Sequence, residues 1–301
     1  MFPIIPANSA TGSGNKEGIF GFGNDGSPGV VTATTNLVSD TGVVSTDVTG
    51  VGTARRFLQG CEYGEDKGIF AYGYYNPTGV VSMSNLVSNA GVVATDVTGV
   101  GTARRSLGAC NYSGSRDKGI FGFGYGTGHV GMTNLVSNGG VIATDVTAVG
   151  TARSYPAACE YGGDKGIFGF GINASGNTDI TNLVSNAGVI ASDVTGVGTA
   201  RNNLAACGYG FDKGIFGFGH DGSNNVSMTN LVSNAGVVAS DVTGVGTARS
   251  ALAACEYGED KGIFSFGNSD ATNLVSNTGV VATDVTQVGT TRTELGACSF
   301  N

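Results

Sequence analysis

The sequence of 301 residues contains no tryptophan, only two histidines and only five prolines. Charge is scarce too: charged residues make up 13%, about half the share of an average domain. Their balance, 15 Lys and Arg against 23 Asp and Glu, gives a formal net charge of -8. Nucleic acid is therefore a poor partner, because Lys and Arg supply most of the affinity for phosphate backbones. No run of 18 apolar residues occurs, so no membrane insertion is expected. There is no C-x-x-C pair for zinc, no G-x-S-x-G turn and no P-loop. The opening segment, Met1 to Ala7, lacks a basic region and is broken by Pro3 and Pro6, a poor match to a secretory signal. Folding in the cytoplasm is expected.

Glycine is abundant, with 53 residues, and it punctuates a repeat. Lys-Gly-Ile-Phe recurs at Lys67, Lys118, Lys165, Lys213 and Lys261, with a looser copy at Lys16-Glu17-Gly18-Ile19-Phe20. The glycines of these copies stand at 18, 68, 119, 166, 214 and 262. Residues 181–219 and 229–267 match at 33 of 39 positions. Six near-copies at a period of about 48 residues indicate a propeller or a solenoid.

One unit reads as four short apolar runs. Arg249 to Tyr257 is the first and Lys261 to Gly267 the second. A variable loop leads to Thr272 to Ser276, and Val280 to Val285 completes the unit. Each run is rich in β-branched or aromatic residues and bounded by Gly, Asn or Asp. No 3.6-residue apolar period is present. The pattern predicts an all-β fold: a six-bladed β-propeller with four antiparallel strands per blade. The chain starts on a second-strand segment and finishes on a first-strand segment, Arg292 to Phe300. The C-terminal strand is therefore expected to join the N-terminal blade and close the ring. The domain reading is a lead or anchor over 1–15 and one propeller over 16–301.

The order of Arg, strand, turn, strand ending in Gly, loop, strand, turn and strand resembles the kelch repeat over residues 16–300. The matching marks are Arg55, Arg104, Arg153, Arg201, Arg249 and Arg292, and pairs such as Gly217-Phe218-Gly219. Gly-x-Gly replaces the kelch Gly-Gly doublet, and Leu or Val replaces the later Tyr and Trp. The near-identical, low-charge repeats also resemble repeat proteins of bacteriophage virions. The resemblances imply a scaffold for interaction, without a cofactor, resident on a virion or an extracellular surface after folding.

Several residue sets invite a chemical reading. Cys61, Cys110, Cys159, Cys207, Cys255 and Cys298 share one repeat position. Neighbouring blades would hold them too far apart for disulfides, so they are read as small buried residues on the innermost strands. The repeat arginines pair by period with Asp47, Asp96, Asp145, Asp193, Asp241 and Asp284, and five units add Asp66, Asp117, Asp164, Asp212 or Asp260 before the Lys. Six equal copies suit a bracket between blades better than an active site, whose residues differ in role. Only Arg56, Arg105 and Arg116 stand outside the repeat. His129 and His220 lie in loops of separate blades and lack ligand-spaced partners, so no metal site is assigned. A sialidase-like enzyme would need Trp-bearing Asp-box turns, and a copper oxidase more His. No catalytic residue is assigned.

The units differ most between the second and third strands. The candidate recognition residues there are Asn24, Asp25, Tyr74, Tyr75, Asn76, Tyr125, His129, Asn173, Asn177, His220, Asp221, Asn224, Asn268 and Asp270. These loops should emerge beside the crossing between blades, making one face individual and the other uniform. Variable loops on a rigid scaffold are where recognition resides. The expected partner is a host glycan or protein receptor. The alternatives are a structural or decoration protein contacting other virion subunits, homo-oligomeric in an assembly, or an intracellular kelch-like adaptor.

Overall fold

The computed structural model describes residues 17–26, 30–147 and 149–300, and every regular element in them is a β-strand. The expected lead over 1–15, Lys16, Ser27 and Pro28 lie outside the described residues. No helix of the described residues is long and apolar enough to cross a membrane.

Six antiparallel sheets follow one another along the chain. The first joins Gly18–Gly21 to Thr35–Val38 on one side and to Gly296–Ser299 on the other. In that register Ile19 faces Leu37 and Cys298, so residues from opposite ends of the sequence share one sheet. The second sheet begins with Gln59–Tyr63 and the third with Gly108–Tyr112. The fourth, fifth and sixth begin with Ala157–Tyr161, Ala205–Tyr209 and Ala253–Tyr257. Each of these first strands touches the next in order, and Gly296–Ser299 touches both Ala253–Tyr257 and Gln59–Tyr63.

The hydrophobic core is divided to match. Six apolar clusters each lie between two neighbouring sheets, as where Ile215, Phe218 and Tyr209 meet Leu252 and Phe264. The Lys-Gly-Ile-Phe strand is central in its sheet, so both its Ile and its Phe are fully buried. Each junction carries an edge-to-face aromatic pair: Phe218 on Phe264 at 5.2 Å, Phe22 on Phe70 at 5.4 Å, and Phe20 on Phe266 at 5.2 Å where the last sheet meets the first.

The fourth run differs from expectation. It forms a regular strand only as Val146–Thr147 and Val285–Thr286. Elsewhere it touches the third strand by single bridges at its two ends, as in Val38 with Val44 and Thr35 with Val48. The cause is a side chain in the ladder. Asn36 donates Nδ2–H to the Ser45 carbonyl and to Asp47 Oδ1, displacing the backbone between the bridges. All six units repeat this, and the valines after the turn, Val43 to Val280, point to solvent.

Candidate recognition face

The repeat arginines build the scaffold under the face. Each is fully buried and bridges two sheets. Arg104 lies over the Tyr72 ring of the preceding sheet at 4.2 Å and donates Nε–H to the Phe123 carbonyl of its own. Arg55, Arg153, Arg201, Arg249 and Arg292 stack the same way on Phe22, Phe123, Phe170, Phe218 and Phe266. Burial brings the Arg153 pKa down to about 10, opposed by Asp193. The backbone repeats the bridge: Gly23, Gly73, Gly124, Gly171, Gly219 and Gly267 each donate N–H to the carbonyl of the next sheet's repeat Arg. The last of these six bonds runs from Gly267 to Arg292 and returns to the first sheet.

The expected Arg–Asp bracket is looser than the sequence implied. Arg55 and Arg104 approach Asp96 and Asp145 only to 3.9 Å, and Arg201 approaches Asp241 to 3.8 Å. The aspartates instead hold the chain entering each sheet. Asp96 accepts from Thr53 N–H and hydroxyl, and Asp47, Asp145, Asp193, Asp241 and Asp284 do the same for Thr290, Thr102, Thr151, Thr199 and Thr247. Burial raises the Asp96 carboxyl, but bonds from Thr53 and Asn85 outweigh it and hold it below the usual carboxylate range. The second acidic set is peripheral: Asp66, Asp164, Asp212 and Asp260 pair with the adjacent Lys, and Asp117 accepts from Ser113.

All six cysteines are free and buried. Each thiol lies against the Lys-Gly-Ile-Phe glycine of the next sheet: a Cβ on Gly166 would stand 2.6 Å from Cys110 Sγ. That contact explains the glycine, whose backbone needs no left-handed conformation. Burial pushes the thiols up, away from reactivity.

A cavity between the first strands is lined from all six sheets. At one end the position after each cysteine reads Glu62, Asn111, Glu160, Gly208, Glu256 and Ser299, an alternation of carboxylate and smaller residue. The turn over Ser113 to Arg116 is two residues longer than its counterparts and brings Arg116 to these carboxylates. Arg116 Nη1 meets Glu256 at 2.8 Å, Nη2 donates to Glu160, and Glu62 stands 3.9 Å away. Burial, and the Glu256 charge against Arg116, raise Glu62 to about 7. Three carboxylates hold Arg116 firmly protonated despite burial. Sequence reading left Arg116 unassigned; the alternation and the longer turn were its signal.

The opposite end is the individual one. Phe57, Ser106, Tyr155, Asn203, Ala251 and Glu294 occupy one repeat position there and share the left-handed region, with φ from +52° to +61°. That conformation is rare for residues other than glycine and is held here by neighbours. Phe57 donates N–H to the Glu294 carbonyl, Ser106 to Phe57, Tyr155 to Ser106, Ala251 to Asn203, and Glu294 to Ala251. These residues, and those before them, vary from unit to unit, and loop comparison alone missed them.

The variable loops attach here. Tyr74 pairs with Arg56, Tyr125 with Arg105, Ile172 with Ser154, His220 with Asn202, and Asn24 with Thr293. Several loops turn back on themselves as short ribbons, Tyr74–Tyr75 with Gly79–Val80 and Ile172–Asn173 with Gly176–Asn177. Asn76 is exposed at the first ribbon's tip, and Asn177 bonds to Asn202 and to the His220 carbonyl. Asp221 caps its own turn by accepting from Ser223 and Asn224. Asp25 lies in the first loop. Asn268 and Asp270 are exposed in the short sixth loop, which makes no bridge of this kind among the described residues. His129 bonds Ser154 and His220 bonds Gly222, so the two histidines serve separate loops. No protein-family model matches the chain, and no curated protein matches it.

Proposed function

We propose that the chain is a closed six-bladed β-propeller that works without catalysis, as a recognition module of a virion or cell surface. Three relationships support closure: Gly18–Gly21 pairs with Gly296–Ser299, the Gly-to-Arg bonds run through all six sheets, and each first strand touches two others. The observation that carries the function is the individuality of one face. Scaffold positions repeat almost without change, while Phe57, Ser106, Tyr155, Asn203, Ala251 and Glu294, and the variable loops beside them, differ from unit to unit. The proposed partner is a glycan or protein receptor on a host surface.

The test replaces the six loops with one common loop. The natural protein should bind host cells or a glycan array, and the uniform version should not. Equal binding by both would reject the variable face as the site.

A second reading, a structural or decoration subunit, is favoured by one feature. Val43, Val92, Val141, Val189, Val237 and Val280 are each more than 60% exposed at equivalent outer positions. An assembly subunit packed along that edge would cover them. Replacing all six by Thr should then block incorporation without lowering stability.

A further inference from the structure

Outside the repeat lysines, the repeat arginines and Arg116, the chain has two cations, Arg56 and Arg105. They occupy equivalent places in neighbouring sheets, directly after a buried repeat Arg, and both are half-buried at the individual end, the mouth, next to Phe57 and Ser106. The same place elsewhere holds Ser154, Asn202, Ser250 or Thr293, none of them charged. Both guanidinium groups lie against aromatic rings. Arg56 stands 5.0 Å from the Phe57 centroid and 5.6 Å from that of Tyr74. Arg105 stands 5.2 Å from Phe57, 5.2 Å from Tyr74 and 5.5 Å from Tyr125.

The local charge is uneven. Arg56 is paired with Glu294 at 3.0 Å. Arg105 has no carboxylate of the described residues within 4.0 Å, but it acts on the same Glu294: burial raises that carboxyl, and the charges of Arg56 and Arg105 both oppose the rise. A protein of net charge -8 thus sets two guanidinium groups against one carboxylate here, an excess of one positive charge at a mouth walled by aromatic rings. A guanidinium packed on rings is already oriented, so less entropy is lost when its N–H groups engage an oxyanion. The half-buried rings of Tyr74 and Tyr125 offer flat apolar faces with hydroxyls at their edges.

We propose that this sector of the mouth, centred on Arg105 between Tyr74 and Tyr125, binds a terminal saccharide carrying a single carboxylate or sulfate. The anion pairs with Arg105, and the sugar ring lies on the tyrosines. An excess of one positive charge suits one anionic group, while the net negative charge disfavours a polyanion. The site rests on the recognition reading and narrows it from six loops to one sector and one ligand class.

The test uses an array of matched neutral, carboxylated and sulfated glycans. The probes are the unaltered protein, Arg105→Ser, Tyr125→Asn and a control in a uniform turn away from the variable loops, Asn138→Ser. Ser already occupies the Arg105 position in two units, so that variant keeps the fold; thermal unfolding checks it. The expected result is binding to acidic glycans alone, weakened at least tenfold by Arg105→Ser and by Tyr125→Asn. Binding should fall as NaCl rises from about 50 to about 500 mM and stay unchanged in Asn138→Ser. The carboxylated and sulfated arms identify which anion is used. Binding to neutral glycans that survives Arg105→Ser would overturn the acidic site and leave the recognition face intact. Binding only to a protein receptor, unaffected by deglycosylation, would overturn it in the same way. Absence of binding to any glycan or host surface would overturn both.

Discussion

Arg116 Nη1 lies 2.8 Å from Glu256 Oε2, joining a turn of the third sheet to the first strand of the sixth. With Glu160 and Glu62 around the same guanidinium, one side chain ties together four sheets. The cluster is buried, and it holds three carboxyl groups against one cation, of which burial raises Glu62 and Glu160 toward the protonated form.

Removing the cation should therefore cost more than removing one of its partners. Arg116→Gln leaves three buried carboxyl groups without a cation and is expected to lower unfolding free energy by about 3 kcal/mol. Adding Glu160→Gln to it should recover part of the loss. Urea unfolding of the two variants checks this. A neutral effect of Arg116→Gln would remove the cluster from the account of stability.

The same cluster sets a pH dependence. Glu62 titrates near 7 when folded, above its ordinary 4.5, because burial opposes its charge. The folded protein thus holds that proton more tightly than the unfolded chain. The stability it contributes is complete below about pH 4.5 and is lost as pH rises through about 7. Glu160, raised by burial and by the Glu256 charge, acts in the same sense. The six Thr-bound aspartates act in the opposite sense, since their lowered values remove stability only as pH falls below about 3.8. Stability should peak near pH 5, and Glu62→Gln should flatten the decline toward neutrality. A midpoint that rises steadily to pH 8 would contradict this.

The cysteine-to-glycine contact is open to a double-mutant cycle. Gly166→Ala places a methyl 2.6 Å from Cys110 Sγ and should cost about 1–3 kcal/mol by overpacking. Cys110→Ala opens room for it, so the pair should be less destabilised than the sum of the singles. Strict additivity would mean that the glycine serves another purpose.

Arg153→Lys keeps the charge but loses the planar stack on Phe123 and the Nε–H bond to Phe170. A loss of about 2–4 kcal/mol is expected, because a buried ammonium would have fewer partners. Ser154 follows Arg153 on the chain and is also buried, so Ser154→Ala serves as the local control.

Period and alternation made the strands, their order and the buried cysteines readable, because each obeys a local rule repeated six times. The bulged fourth run was not readable. Its cause is the Asn36 side chain reaching Ser45 and Asp47, a tertiary contact with no mark in strand propensity. The loops were found because they vary in length and composition. Phe57, Tyr155 and Glu294 were missed because they sit inside a run that otherwise reads as strand entry. Their shared left-handed backbone exists only where neighbouring units meet.

The mouth requires Gly296–Ser299 to stand beside Gly18–Gly21, so amide exchange at these strands is the most direct measurement. Ile19, Phe20, Ala297 and Cys298 should exchange as slowly as Ala206 and Cys207 of the fifth sheet, opening only with global unfolding. Fast exchange at Ala297 and Cys298, with Ala206 and Cys207 still protected, would mean an open arc of sheets and would contradict the closed propeller.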